Sequence, residues 1–275
     1  MCTTVTSPSI RAELVLVYIS FLALFCPVAA ESQCRRDTFA VAVDIGHTKK
    51  QVGTVSARGV PEFEFNERVA KLLHTKLVAS GYKKALLINE NGAAEDLESR
   101  AREANAAPFN LLISIHHDSV QPKYLSTWSY HGRKRSYSDR FRGFSIFVSR
   151  KNGSKESSIS FAKRLGDSLL AAQFTPTLHH AEPIPGEGRE LFDTVRGIYF
   201  FDDLIILKEA SVPAVLLECG VIKHRKEEVA LTDAANQAKM VEAIAAAIDS
   251  FCAAGLSGVE PAQAGSKTPR EAESF

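Results

Sequence analysis

An excess of either charge is missing from this sequence of 275 residues: 33 Lys and Arg stand against 32 Asp and Glu, a formal net charge of +1. No global field therefore draws the chain to nucleic acid or to a membrane surface, and any such preference has to come from a local patch. Cysteine is scarce as well, with five in all and no Cys-x-x-Cys pair. That excludes a disulfide-dense scaffold and gives no sign of a thiolate metal site. Beyond residue 30 no apolar run is long enough to span a bilayer. There is no internal repeat and no appended accessory module.

What is present begins at the N-terminus. Arg11 precedes the apolar stretch "LVLVYISFLALFCPVAA", which closes in Val28-Ala29-Ala30. Small residues at the last and third-last positions suit a signal peptidase, so residues 1–30 are expected to be a signal peptide cleaved after Ala30; the alternative is an uncleaved anchor. Export would remove Cys2 and Cys26 and leave Cys34, Cys219 and Cys252 in an oxidising compartment. One disulfide and one free thiol fit that odd number, with the pairing left open. Cys219 lies in an apolar run and reads as a small buried hydrophobe.

From Phe39 short apolar runs alternate with amphipathic stretches, the pattern of strands joined by helices around a mostly parallel sheet. Strands are expected at 39–44, 85–88, 111–115, 144–148, 204–207 and 214–217. Helical spacing appears in Val69, Leu72, Leu73 and Leu77, in Ala162, Leu165 and Leu169, and in Val241, Ile244, Ala245, Ile248 and Phe251. The fold class that follows is α/β: a single domain over 39–253, with a mostly parallel twisted sheet of about six strands and helices on both faces. Residues 31–38 form a short lead, and 254–275, small, polar and proline-bearing, read as a disordered tail.

Ligand sites in such sheets lie outside the carboxyl ends of the strands. "VAVDIGH" delivers His47 there, "LLISIHHD" delivers His116, and "PAVLLECG" delivers Glu218. Histidine is the commonest metal ligand, and a catalytic zinc takes three protein ligands and leaves one position open. His47 and His116 supply two nitrogens, and Glu62, just ahead of an amphipathic helix, supplies a carboxylate from a third segment. A His, Glu, His set fits a catalytic zinc. His117, beside His116, should point to the opposite side of its strand.

These motifs resemble the zinc-dependent N-acetylmuramoyl-L-alanine amidases that cleave bacterial peptidoglycan. In that family a strand ends in Asp-x-Gly-His, here "VDIGH"; a Glu lies four residues before an Asn, here Glu62 and Asn66. An Arg and an Asn five apart follow, here Arg100 and Asn105, then "SIHHD", and near the end Pro-Ala-Val-Leu-x-Glu-x-Gly, here "PAVLLECG". The order holds over roughly residues 39–253. The resemblance implies zinc ligands at His47, Glu62 and His116 and a catalytic carboxylate at Glu218. It implies hydrolysis of the bond between N-acetylmuramic acid and the first L-alanine of the stem peptide, with peptidoglycan as substrate, in a periplasmic setting of wall turnover or cell separation. The chain departs from the family in Thr48-Lys49 after the first His, in His117, and in Glu62-Phe63-Glu64, which makes Glu64 a rival ligand. Asp44 and Asp118 are candidates for orienting the ligands. The rival readings are a zinc carboxypeptidase or other peptide amidohydrolase, and a catalytically silent wall-binding regulator.

Two inserts stand outside those motifs. Residues 121–142 carry Tyr124, Trp128, Tyr130 and Tyr137 among Arg and Lys, and read as a surface excursion or as a lid that restrains activity until an activator protein displaces it. Residues 177–203 are too long and polar for a simple connection; the segment is expected to be part of the substrate groove, and its His179, His180, Glu187 and Arg189 are candidates for contacts to the stem peptide or for ordinary loop hydrogen bonding.

Overall fold

A computed structural model describes residues 34–94 and 96–255, together with Met1. The expected signal peptide and nearly all of the expected C-terminal tail lie outside the described residues. Among those described, no helix is long and apolar enough to cross a membrane.

The central apolar runs form strands that are buried along almost their whole length. Strands β1 (Val41–Ile45), β3 (Leu111–Asp118) and β9 (Ala214–Val221) lie side by side and parallel in a seven-stranded sheet. Continuous hydrophobicity is what a strand covered on both faces requires. Strand β2 (Ala85–Ile88) adds to β1, and β6 (Ser145–Val148) joins β9 antiparallel. Two short strands absent from the sequence expectation, β7 (Leu191–Asp193) and β8 (Ile198–Phe200), complete the order β2-β1-β3-β9-β6-β8-β7.

Side-chain alternation sorts the core into two layers. Val41, Val43, Ile113, Ile115, Val215 and Leu217 face helices α1 (Glu62–Ala79), α3 (Lys155–Ala171) and α6 (Ala234–Ala253). Ala42, Leu112 and Leu216 face the much shorter α2 (Leu97–Asn105) and α4 (Ile205–Lys208). The expected strand at 204–207 is therefore corrected to helix. An apolar run of four does not distinguish the two states, and with β8 already paired to β6, Ile206 and Leu207 cover the sheet face instead. The remaining helix, α5 (Arg225–Thr232), follows β9.

The 121–142 insert contains a hairpin of its own, β4 (Ser126–Tyr130) with β5 (Arg133–Tyr137), separate from the main sheet. His131 and Gly132 both take positive φ, 48° and 73°, as a two-residue turn of the mirror-image type demands. Cys34 and Cys252 are disulfide-bonded, and Cys219 is free and buried.

Candidate active site

Because β3 and β9 run parallel in register, His116 and Glu218 are direct partners across the two strands. Both share the alternation parity of Leu112 and Leu216, so both project toward the face with the short helices, where the covering is thin. His47 follows the end of β1 with φ at 64°, a left-handed conformation in which Asn89 Nδ2 donates to the carbonyls of His47, at 2.6 Å, and Ile45, at 2.8 Å. Glu62 opens α1.

These elements bring three ligand atoms together. His47 Nε2 lies 3.0 Å from Glu62 Oε2, and His116 Nδ1 lies 3.1 Å from Glu62 Oε1. Gly53 makes room for the group: at φ 75° it would, with a side chain, put Cβ 2.4 Å from Glu62 Oε2 and 2.6 Å from the His47 ring. Asn66, one helical turn on, donates to Glu62 Oε1 and to the Gly46 carbonyl, each at 3.1 Å. Burial works against ionisation of Glu62, but hydrogen bonds and charge from His116 and His47 outweigh it and hold the carboxyl well below the usual carboxylate range. Burial pushes the His116 imidazole down. An ionised carboxylate and neutral imidazoles are the states in which such groups coordinate a cation, and the donor set of two nitrogens and an oxygen suits zinc. His47, Glu62 and His116 therefore fit a metal ion.

The rivals fall elsewhere. Glu64 is exposed on α1. His117 turns under α1, where its Nδ1 pairs with Asn66 Oδ1 at 2.8 Å, and burial lowers its pKa to about 3. Asp44 does not orient a ligand: its oxygens take Arg100 at 3.0 and 2.7 Å and the Ser114 hydroxyl at 2.5 Å, a buried cluster that ties α2 to the sheet. Asn105 likewise binds the 209–211 segment, accepting from Ser211 and donating to the Glu209 carbonyl. Asp118 touches not the first trio but His180 Nε2, at 2.9 Å, and His179 Nε2, at 3.3 Å.

A cavity of about 360 Å³ opens over this edge of the sheet, lined by His47, His116, Asp118 and Glu218 from the strand ends and by His180, Glu187 and Arg189 from the 177–203 segment. None of residues 122–142 lines it. Glu218 Oε2 is withdrawn from solvent with no hydrogen-bond partner among the described residues. Burial, and then the carboxylates of Asp118 and Glu62, raise the Glu218 carboxyl well above its ordinary value. Another cavity, about 370 Å³ beside β2 and lined by Leu86, Glu90 and Phe109, gathers no comparable set of groups.

Sequence reasoning did not identify Gly53 or the paired environments of His179 and His180. Neither carries a local signal, since each depends on which loops meet at the sheet edge.

No curated protein sequence matches the chain. Among solved structures, the fold is similar to that of the N-acetylmuramyl-L-alanine amidase Ami1 from Mycobacterium smegmatis, with TM-score 0.61 and 24% identity over 79% of this chain and 98% of that one. It is also similar to the catalytic domain of CwlV, an N-acetylmuramoyl-L-alanine amidase from Bacillus (Paenibacillus) polymyxa, at TM-score 0.58 and 23% identity over 78% and 97%. A further likeness is to the CwlD amidase from Clostridioides difficile, solved in complex with the GerS lipoprotein, at TM-score 0.59 and 19% identity over 78% and 99%. At these identities the likeness concerns the fold. A family model described as N-acetylmuramoyl-L-alanine amidase matches residues 41–250, from the first residue of β1 almost to the end of α6, and the chain belongs to that family of hydrolases.

Proposed function

We propose that this protein hydrolyses the amide between the lactyl carbonyl of N-acetylmuramic acid and the first L-alanine of the peptidoglycan stem peptide, using zinc held by His47, Glu62 and His116. The observation that supports the reading is the register pairing of His116 with Glu218, together with the cavity that His47, His116 and Glu218 line in common and the contacts of both imidazoles with Glu62.

When bound, zinc supplies Lewis-acid polarisation of the scissile carbonyl and acidifies water. Glu218 does the proton work. Its Oε2, unpartnered and shielded, accepts a proton from the attacking water and returns it to the departing alanine nitrogen. A carboxyl raised above its ordinary value suits both halves of that task better than a fully solvated one. Arg189, in the cavity wall, adds positive charge for the carboxylates of a stem peptide.

We assign the site of action to the periplasm, after export directed by residues 1–30; the Cys34–Cys252 bond accords with an oxidising compartment. Wall turnover or daughter-cell separation is the corresponding role. The β4-β5 hairpin is assigned a restraining function released by a partner protein. It would act indirectly, because it grips the loop leading into Glu62: Trp128 Nε1 donates to the Ala57 carbonyl at 2.9 Å, and the Arg58 guanidinium lies over the rings of Trp128 and Tyr130.

The test is hydrolysis of purified peptidoglycan with products read by mass. Stem peptides beginning with L-alanine should appear, vanish with chelator, return with zinc, and be absent for Glu218→Ala although that variant still binds peptidoglycan. Release of a C-terminal amino acid instead would make the protein a carboxypeptidase, and peptidoglycan binding without any release, even after deletion of residues 123–140, would make it a silent regulator. Unchanged or lower hydrolysis by a folded deletion variant would sink the restraint.

A further inference from the structure

The 177–203 segment brings a second set of ligand-type groups to the cavity. A 3₁₀ turn, His179–Ala181, holds two consecutive imidazoles whose Nε2 atoms converge on one oxygen, Asp118 Oδ2, at 3.3 Å and 2.9 Å. His179 is buried, with its Nε2 facing Asp118 Oδ2 and the Ser119 backbone. His180 has a carboxylate oxygen at each ring nitrogen, Asp118 at Nε2 and Glu187 at Nδ1, the latter at 2.9 Å. A neutral imidazole carries one proton and can donate to only one of them. A second proton, on the ring or on one of the two carboxyls, or a metal ion between His180 and Asp118 satisfies both contacts.

Three features favour the metal. The ring nitrogens on the far sides are both held, His179 Nδ1 by Thr177 Oγ1 at 2.9 Å and His180 Nδ1 by Glu187, which Gln121 Nε2 steadies in turn at 2.9 Å. That outer support is what metal-bound histidines show. The rings are clamped, with Phe141 stacked on His179 at 4.9 Å and the Phe147 ring edge-on to His180 at 5.0 Å. Finally, ligand bonds of about 2.0–2.1 Å in a tetrahedral arrangement set ligand atoms roughly 3.3 Å apart, close to the separations from Asp118 Oδ2.

We propose that Asp118, His179 and His180 form a second zinc-class cation site, distinct from the trio of His47, Glu62 and His116 and sharing no ligand with it. The two sets have the same donors, two imidazole nitrogens and one carboxylate. Asp118 and His180 line the same cavity as Glu218, so the cation adds positive charge to a wall otherwise carrying Asp118, Glu187 and Glu218 against Arg189 alone. The inference does not depend on which bond the enzyme cleaves.

Metal stoichiometry decides it. Untagged full-length protein is loaded with zinc, dialysed free of loose metal and analysed by elemental mass spectrometry, with cobalt(II) absorption as a second readout. Two equivalents are expected in the wild type, one in His47→Ala, one in Asp118→Asn and in His179→Gln, and none in the His47→Ala, His179→Gln double variant. A single equivalent in the wild type that disappears in His47→Ala would overturn the proposal and leave His180 as a protonated bridge between two carboxylates. Two equivalents retained in both Asp118→Asn and His179→Gln would overturn it as well, by locating the extra ion elsewhere. The wild-type count needs no variant to fold.

Discussion

Asn66 shows how much of the site hangs on one amide. It donates to Glu62 Oε1 and the Gly46 carbonyl and accepts from His117, so one buried side chain joins the ligand helix, the β1 loop and β3. Removing such a support costs metal sites about 10- to 100-fold in affinity. On the zinc reading proposed above, Asn66→Ala should therefore weaken zinc binding by that order in a chelator competition, with far-ultraviolet circular dichroism unchanged; wild-type affinity would mean that Glu62 is positioned without it. In the sequence the pair stood out only through the family resemblance, by its spacing of four; the helix explains that spacing, because residues four apart return to the same face. The role of Asp44 was not legible there. A strand-end carboxylate can serve a ligand or a neighbouring cation, and only the approach of Arg100 from α2 decides between them.

Among the elements, α5 carries a pH signature. Glu227, in its first turn, accepts from the backbone amides of Gly143 and Val221, yet burial raises its carboxyl to about 7 from an ordinary 4.5. With the folded value above the unfolded one, its stabilising effect is complete below pH 4.5 and is lost as pH rises through 7. The loss is at most roughly 3 kcal/mol. Glu227→Gln stays neutral throughout, so between pH 5 and 7 its melting temperature should decline less steeply than that of the wild type. Parallel melting curves would mean that the carboxylate ionises normally. The other surprises at this scale, the hairpin in 121–142 and the helix at 205–208, have a common cause. Short segments with no long periodic pattern take whichever state their surroundings complete: a turn of His131 and Gly132 in one case, an uncovered sheet face in the other.

Over the described residues, the domain is cross-linked near its two ends. Cys34 stands before β1 and Cys252 near the end of α6, 218 residues apart in sequence. A cross-link spanning that much chain restricts the unfolded ensemble, and removing a native disulfide costs about 2–5 kcal/mol. Paired Cys34→Ser and Cys252→Ser substitutions should lower unfolding stability by that amount in denaturant titration while leaving bound zinc unchanged. Loss of zinc in the folded variant would mean that the bond also shapes the site at the opposite ends of the strands.

What the sequence by itself determined is the α/β class, the strand ends that carry His47, His116 and Glu218, and the spacing of Glu62 and Asn66. The class and the strand ends depend on local periodicity, which a chain carries wherever it goes, and the Glu62 and Asn66 spacing is what the family resemblance implies. Tertiary structure alone decided which carboxylate meets which base. The choice of Cys34 for Cys252, the turning of Asp118 toward His179 and His180, and the helix at 205–208 all follow from contacts between residues far apart in the chain. Such contacts depend on strand order and on the thin covering of one sheet face, neither of which leaves a local trace.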